Sequence, residues 1–175
     1  MRAFFLTIIL AIYFSAPAQV DTFQQEIINC LNINGTTQKY GFVYEELFLK
    51  LKERVASPET PKTFWDQLKE GKKESIDELI FTLSFAYRKH FKQNDIAEMT
   101  EFYKTDAAQK QILKSSNFTD EDHKIIEAYE NSEVAKKIEI KQVALSKDIS
   151  KIAREWNTAL FAKKMGAISK AGYSK

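Results

Sequence analysis

Apolar residues recur every three or four positions along most of this 175-residue chain. At this spacing the side chains return to one face of an α-helix. Only five glycines and three prolines occur, which leaves little turn chemistry for an all-β fold. The pattern predicts an all-α fold, a single domain of about seven or eight helices. The clearest series are Tyr40, Val43, Leu47, Leu51 and Val55; Ile76, Leu79, Ile80, Leu83 and Tyr87; and Leu145, Ile149, Ile152, Trp156 and Leu160.

Helix start and stop signals divide the first half of the chain. Asp21 can cap a first helix, which we expect to end near Asn34-Gly35. Pro61 suits the first position of a short helix, since its missing amide donor is not needed there. Gly71 marks a joint, and the helix that follows should run to about His90.

An internal similarity with a period of 27 residues follows this helix. Four of eight equivalent pairs are identical, and the other four are chemically alike. We interpret each copy as a kinked pair of short helices and predict that two copies stack in the middle of the domain. Thr119 can cap the first helix of the second copy, with Asp122 as the third residue of that helix. The first copy has Lys92 at the equivalent position, so its cap must come from Asn94 or be weaker. The equivalent residues are Phe91, Asp95, Met99, Phe102, Thr105, Asp106, Ala108 and Lys110 in the first copy, and Phe118, Asp122, Ile126, Tyr129, Ser132, Glu133, Ala135 and Lys137 in the second.

The N-terminal segment has the pattern of an export signal. Met1-Arg2 is followed by a short apolar run and then by Ala16-Pro17-Ala18, the small residues that a signal peptidase reads. We therefore predict a signal peptide over 1–18, an all-helical domain over 19–167 and a flexible tail over 168–175. The protein would be periplasmic or secreted, with no transmembrane span after cleavage. The alternative is a retained N-terminal anchor.

Charge is distributed unevenly along the chain. Residues 61–135 carry 11 basic and 15 acidic side chains, whereas residues 136–175 carry 10 basic and three acidic ones. A solvated lysine face on an acidic body explains this difference, and weak contact of the basic region with an anionic surface is the alternative. Because the cations are not regularly interleaved with aromatic side chains, we expect no nucleic-acid partner.

Several segments resemble a known bacterial family. They are Tyr87-Arg88-Lys89-His90-Phe91, then Glu98, Phe102-Tyr103-Lys104-Thr105 and Gln109-Lys110, and they are similar to the core of the "domain of unknown function 2059" family. Leu31-Asn32-Ile33-Asn34-Gly35 also resembles the end of the family's first helix. Lys92, Asp106 and Ala108 depart from the family pattern. The resemblance implies an exported, all-helical envelope protein and implies no activity.

Residues with catalytic or ligating chemistry are few and scattered. Neither His90 nor His123 has a second histidine or a cysteine one helical turn away, so we expect no metal and no cofactor. His90 suits the C-terminal end of a helix as a cation. The acidic run Asp120-Glu121-Asp122 suits a helix N-terminus, because a calcium loop would need ligands spread over about 12 residues. Cys30 shares a helix face with apolar neighbours, so a buried thiol is expected rather than an intermolecular disulfide.

The candidate binding surface consists of Tyr87, His90, Glu98, Tyr103 and Lys110, near the most specific part of the resemblance. Aromatic residues at these spacings either pack in the core or line a groove for a peptide or an apolar ligand. We favour a non-enzymatic binding module for an unknown envelope protein or an apolar ligand. The alternative is an envelope hydrolase or transferase with dispersed residues, such as His90 with Tyr103 or Glu98.

Overall fold

The computed structural model describes residues 21–55 and 60–173, which form eight α-helices and no strand. The all-α prediction is therefore confirmed. The predicted signal peptide lies outside the described residues. The helices are α1 (Thr22–Ile33), α2 (Thr36–Val55), α3 (Lys62–Leu68), α4 (Lys72–His90), α5 (Gln93–Tyr103), α6 (Asp106–Ile112), α7 (Asp120–Glu130) and α8 (Glu133–Lys170).

Side-chain caps fix the starts of several helices. The Asp21 carboxylate accepts a hydrogen bond from the Gln24 amide at 2.8 Å, and this satisfies a donor that the first turn of α1 leaves free. Pro61 is the N-cap of α3 and not its first residue, one position from the expectation. α4 ends at His90, as predicted.

The caps of the later helices follow the sequence pattern. Thr105, Thr119 and Ser132 each accept a hydrogen bond from the amide three residues on, at 3.2 Å. At the start of α5, the Asp95 carboxylate accepts from the Lys92 amide at 2.7 Å, and no side chain caps the helix from position 92. The first copy therefore has a weaker cap than the second, as expected.

Helix boundaries repeat at the 27-residue spacing. α5 and α7 begin and end 27 residues apart, and so do the starts of α6 and α8. Equivalent residues also make crosswise contacts. Lys110 pairs with Asp122 at 2.6 Å and Lys137 pairs with Asp95, while the rings of Phe102 and Tyr129 stack at 3.7 Å with planes 2° apart. Exchanged pairs of this kind are what a local twofold relation produces.

The second copy differs from the first in the length of its second helix. α8 has 38 residues against seven in α6, so it spans about 57 Å at the usual rise per residue. The pair of short helices expected for this copy is therefore not formed, and the stacked repeat stays a prediction. α8 also passes through Gly166 to Lys170, with Ile168 fully buried. The helix thus ends later than the expected tail start at residue 168.

Two hydrophobic clusters make up the core. The larger is formed mainly by α1, α4 and α5 with the first half of α8, and the smaller by α2, α3 and the second half of α8. Cys30 lies fully buried in the larger cluster, as expected, and burial raises the pKa of its thiol.

Trp156 of α8 connects the two clusters. Its indole packs against residues of both and meets the Tyr40 ring edge-on, with centroids 5.8 Å apart. The indole N–H donates to the backbone carbonyl and the hydroxyl of Ser75, each at 3.0 Å. The same side chain therefore joins the apolar packing of α2 to the start of α4.

The crosswise ion pairs are electrostatically strong. The hydrogen bond from Lys110, together with those from the Thr119 amide and hydroxyl, lowers the pKa of Asp122 to about 2. Burial alone would raise the pKa of Asp95, but the bonds from Lys137 and the Lys92 amide outweigh it and lower the value. Both carboxylates are therefore ionised well below neutral pH.

We expect Asp122→Asn to destabilise the protein in a pH-dependent way. Unfolded aspartate titrates near pH ~3.9, whereas folded Asp122 titrates at about 2. Because the pKa is lower in the folded state, the stabilisation is full above about pH 4 and is lost as the pH falls toward 2. Urea unfolding should show a gap between wild type and variant at pH 7 that narrows over this window. The matched control is Glu121→Gln, an exposed acid of the same turn, and a gap that stays constant with pH would refute the assignment.

Candidate functional site

A groove lies where the turn between α1 and α2 faces α5 and α6. It consists of two adjoining depressions of about 380 Å³ and 620 Å³ that share Gly35, Gln38 and Ile112. We call it the Gly35 groove. Its other lining residues are Asn32, Ile33, Asn34, Thr36, Lys39, Phe42, Val43 and Glu46 from the first two helices, and Tyr103, Lys104, Gln109, Leu113 and Lys114 from the opposite wall.

Gly35 sets how closely the two walls approach. It follows the last turn of α1 with φ of +84°, in the left-handed region that glycine adopts without strain. A Cβ at this position would lie 2.9 Å from Cγ2 of Ile112 on α6. The backbone of the turn therefore rests directly on the Ile112 side chain, which only glycine permits.

Gln109 ties the walls together at the same level. Its side-chain amide donates to the carbonyl of Ile33 at 3.0 Å and to that of Tyr103 at 2.5 Å. These carbonyls lie at the C-terminal ends of α1 and α5, where helices leave acceptors free. The Gln109 side chain thus holds the C-terminal ends of α1 and α5 beside the same groove.

Apolar side chains stand at the rim of the groove without cover from the described chain. Phe42 on α2 is 67% exposed, and Leu113 at the end of α6 is 65% exposed. Val43 and Ile112 are half-buried beside them. Large apolar groups around a concave surface are typical of sites that bind another molecule.

The charge at the rim is mainly positive. Lys39 and Lys114 are exposed and form no ion pair within the described part of the chain. Lys104 pairs with Glu101 at 2.7 Å, and Glu46 pairs with Lys50 at 2.7 Å. The two unpaired ammonium groups can therefore attract carboxylates to an otherwise apolar groove.

Tyr103 connects the groove to other half-buried tyrosines. Its ring is 6.2 Å from that of Tyr129, and the ionised form of Tyr103 would raise the pKa of Tyr87. Burial raises the pKa of all three phenols above the ordinary value. They consequently stay protonated at neutral pH and act as packing groups of the larger cluster.

The other residues of the candidate binding surface lie apart from the groove. His90 is 8% exposed and its Nε2 lies 2.7 Å from the Asp148 carboxylate. Lys110 is held by Asp122, and Glu98 is exposed on α5. Tyr87 and Tyr103 both pack against the larger cluster, and of these five residues only Tyr103 lines the groove. A single surface made of all five residues stays a prediction.

Acidic residues and histidines do not converge among the described residues. No group of three or more histidine, cysteine, aspartate or glutamate side chains is arranged there to hold a metal ion. Asp120, Glu121 and Asp122 lie in the first turn of α7, as the acidic run predicted. Such carboxylates stabilise the positive end of the helix dipole.

A further depression of about 190 Å³ lies between α2, α4 and α8, beside the turn that follows α3. Its central cation, Lys164, is buried and donates to the carbonyls of Leu68 at 2.5 Å and Glu70 at 3.0 Å. Burial lowers the pKa of this ammonium. Since Lys164 and Trp156 both bind backbone here, the depression serves packing, and the Gly35 groove is the better candidate site.

Comparison with known families agrees with the resemblance noted in the sequence. Residues 77–129 match a family model. Its description is "Uncharacterized protein conserved in bacteria (DUF2059)". The matched segment runs from α4 to α7 and supplies the wall of the groove from Tyr103 to Lys114. No curated protein matches the chain, and no solved structure does.

Sequence patterns identified only part of the groove. Asn34-Gly35 was recognised as a helix end and Tyr103 as a candidate, but Phe42, Ile112 and Lys114 carried no signal. Their position depends on how α2 and α6 face each other across about 70 residues of sequence. The positive φ at Gly35 was implied by its place after a helix, whereas its contact with Ile112 was not.

We expect Gly35→Ala to be more destabilising than Gly71→Ala. Both glycines have positive φ, so each alanine costs about 1–2 kcal/mol in backbone strain. Only Gly35 adds a clash, since a Cβ at Gly71 meets nothing within 4 Å. Urea unfolding of both variants measures the difference, and Ile112→Ala in the Gly35→Ala background should recover the extra cost. Equal costs at the two glycines would show that the contact with Ile112 is unimportant.

Proposed function

We propose that this protein is exported to the cell envelope and acts there as a non-enzymatic binding protein. In this proposal the Gly35 groove holds an apolar segment of another envelope protein that also carries acidic residues. The observation that carries the proposal is the pairing of exposed Phe42 and Leu113 with the unpaired Lys39 and Lys114 around one groove.

The dimensions of the groove support a peptide segment as the ligand. Depressions of about 380 Å³ and 620 Å³ fall within the range of sites that take several side chains. Aromatic and large aliphatic residues dominate the energetics of protein interfaces when they become fully buried. Phe42 and Leu113 are placed to make such contacts, because each stands at an opposite wall.

The charges at the rim support an acidic partner. Rim cations mainly raise the association rate and orient the partner, and their contribution falls with salt. Lys39 and Lys114 are free to do this, since neither is engaged by a carboxylate of the described chain. Binding should therefore weaken as ionic strength rises while the apolar contacts persist.

The positions of the titratable groups support binding more than catalysis. His90 is turned to Asp148 and Lys110 to Asp122, so both are already paired. Burial raises the pKa of Tyr103, so its phenol stays protonated at neutral pH and is not available as a general base. The alternative is a hydrolase or transferase that uses His90 with Tyr103 or Glu98. No contact between these side chains in the described part of the chain supports it.

Site-specific cross-linking tests the binding proposal. A photoreactive benzoylphenylalanine in place of Phe42 or Leu113 should capture the same envelope protein in living cells. The matched control replaces Leu49, which is 61% exposed on α2 but outside the groove. Lys39→Glu with Lys114→Glu should reduce capture, while Lys62→Glu should leave it unchanged. Equal capture from all three positions, or none from the groove, would contradict the proposal.

Export is tested by the N-terminus of the protein isolated from its source cells. The spacing of Arg2, the apolar run and Ala16-Pro17-Ala18 leads us to expect cleavage after Ala18. Mass spectrometry of the intact protein should therefore show a chain beginning at Gln19 in the envelope or secreted fraction. A chain that retains residues 1–18 in that fraction would instead indicate a retained anchor. In the described part of the chain, no helix has the length and apolarity needed to cross a bilayer.

A further inference from the structure

The outward face of α8 carries cations and apolar side chains in one line. Six exposed residues recur there at spacings of three and four, opposite the side of α8 that packs into the core. At the usual rise per residue this line is about 27 Å long. We call it the α8 stripe, and it consists of Lys136, Ile140, Val143, Lys147, Lys151 and Arg154.

Two β-branched apolar residues lie within the stripe. Ile140 is 79% exposed and Val143 is 84% exposed, one helical turn apart. A surface helix normally places polar groups at these positions. Lys136 precedes Ile140 by four residues and Lys147 follows Val143 by four, so the apolar pair has a cation on each side. Helices with this basic and apolar face are typical of contact with membrane surfaces.

The cations of the stripe are largely free to meet an external anion. Lys147 and Arg154 form no ion pair within the described part of the chain. Lys136 pairs with exposed Glu133 at 2.9 Å, and Lys151 lies 4.0 Å from exposed Glu155. Exposed pairs of this kind contribute little and exchange readily. Residues 136–175 as a whole carry 10 basic and three acidic side chains.

We propose that the α8 stripe docks this protein on the surface of an anionic lipid bilayer. The four cations lie near lipid phosphates, and Ile140 and Val143 enter the boundary between headgroups and acyl chains. Charge complementarity and the adjacent apolar pair favour a bilayer over a soluble anion, because a soluble anion offers nothing to cover the apolar side chains. The stripe shares no residue with the Gly35 groove, so this proposal does not rest on the proposed function.

Co-sedimentation with vesicles tests the proposal on residues 19–175 of the chain, without the apolar N-terminal run. Vesicles of phosphatidylcholine mixed with phosphatidylglycerol should bind the protein, and vesicles of phosphatidylcholine alone should not. Each cation near an anionic surface contributes about a fivefold gain in partitioning. Lys147→Gln with Arg154→Gln should therefore reduce partitioning about thirtyfold, and Ile140→Ser with Val143→Ser should reduce it further at every salt concentration.

Matched controls separate the stripe from net charge and from general hydrophobicity. Lys62→Gln with Lys124→Gln removes the same charge from α3 and α7, and Leu49→Ser removes an exposed apolar side chain from α2. Both variants, like Phe42→Ser with Leu113→Ser in the groove, should partition as the wild type does. Equal loss in the charge control would overturn the proposal, and so would absence of binding to anionic vesicles. Binding of the stripe to an acidic protein without binding to vesicles would also overturn it.

Discussion

Trp156 makes one domain out of two packing clusters. Its ring contacts both of them and meets Tyr40 edge-on, while its N–H is held by Ser75. α8 reaches both clusters because it is 38 residues long, with Leu145 in the larger cluster and Ile168 in the smaller. A polar atom anchored to backbone inside an apolar contact fixes the rotation of the ring. Trp156 therefore helps to fix the position of α8 against α2 and α4, together with the other apolar residues of α8 in the two clusters.

The shape of the Gly35 groove also depends on a few close contacts. Its shape depends on a turn whose backbone touches Ile112 and on one amide that binds two helix ends. Neither contact involves the charged residues of the rim, so these residues do not take part in the contacts that shape the groove. The contacts that shape the groove therefore leave Phe42, Lys39 and Lys114 exposed to a partner in the proposed function.

The helices are predictable from local sequence, whereas the contacts between helices are not, because they depend on the tertiary fold. Asp21 and Thr119 are recognisable as caps from the sequence, because a cap needs only neighbours three residues away. The ion pairs Lys110–Asp122 and Lys137–Asp95 could not be foreseen, since they depend on which helices meet. Similarly, a flexible tail is expected from residue 168, yet Ile168 is buried in the smaller cluster with residues of α2 and α3, and α8 continues to Lys170. The packing of Tyr87 against the larger cluster and the contact of His90 with Asp148 also depend on the tertiary fold.

Lys164 has a consequence for the order in which the chain assembles. Its ammonium binds the carbonyls at the end of α3, across 96 residues of sequence from Leu68. Synthesis runs from the N-terminus, so α2 and α3 exist long before the residues that complete their cluster. Leu160 and Ile168 must also arrive before that cluster is closed. Since non-local contacts form late, α1, α4 and α5 are able to gather first, and the smaller cluster closes only when the last helix turns have been made.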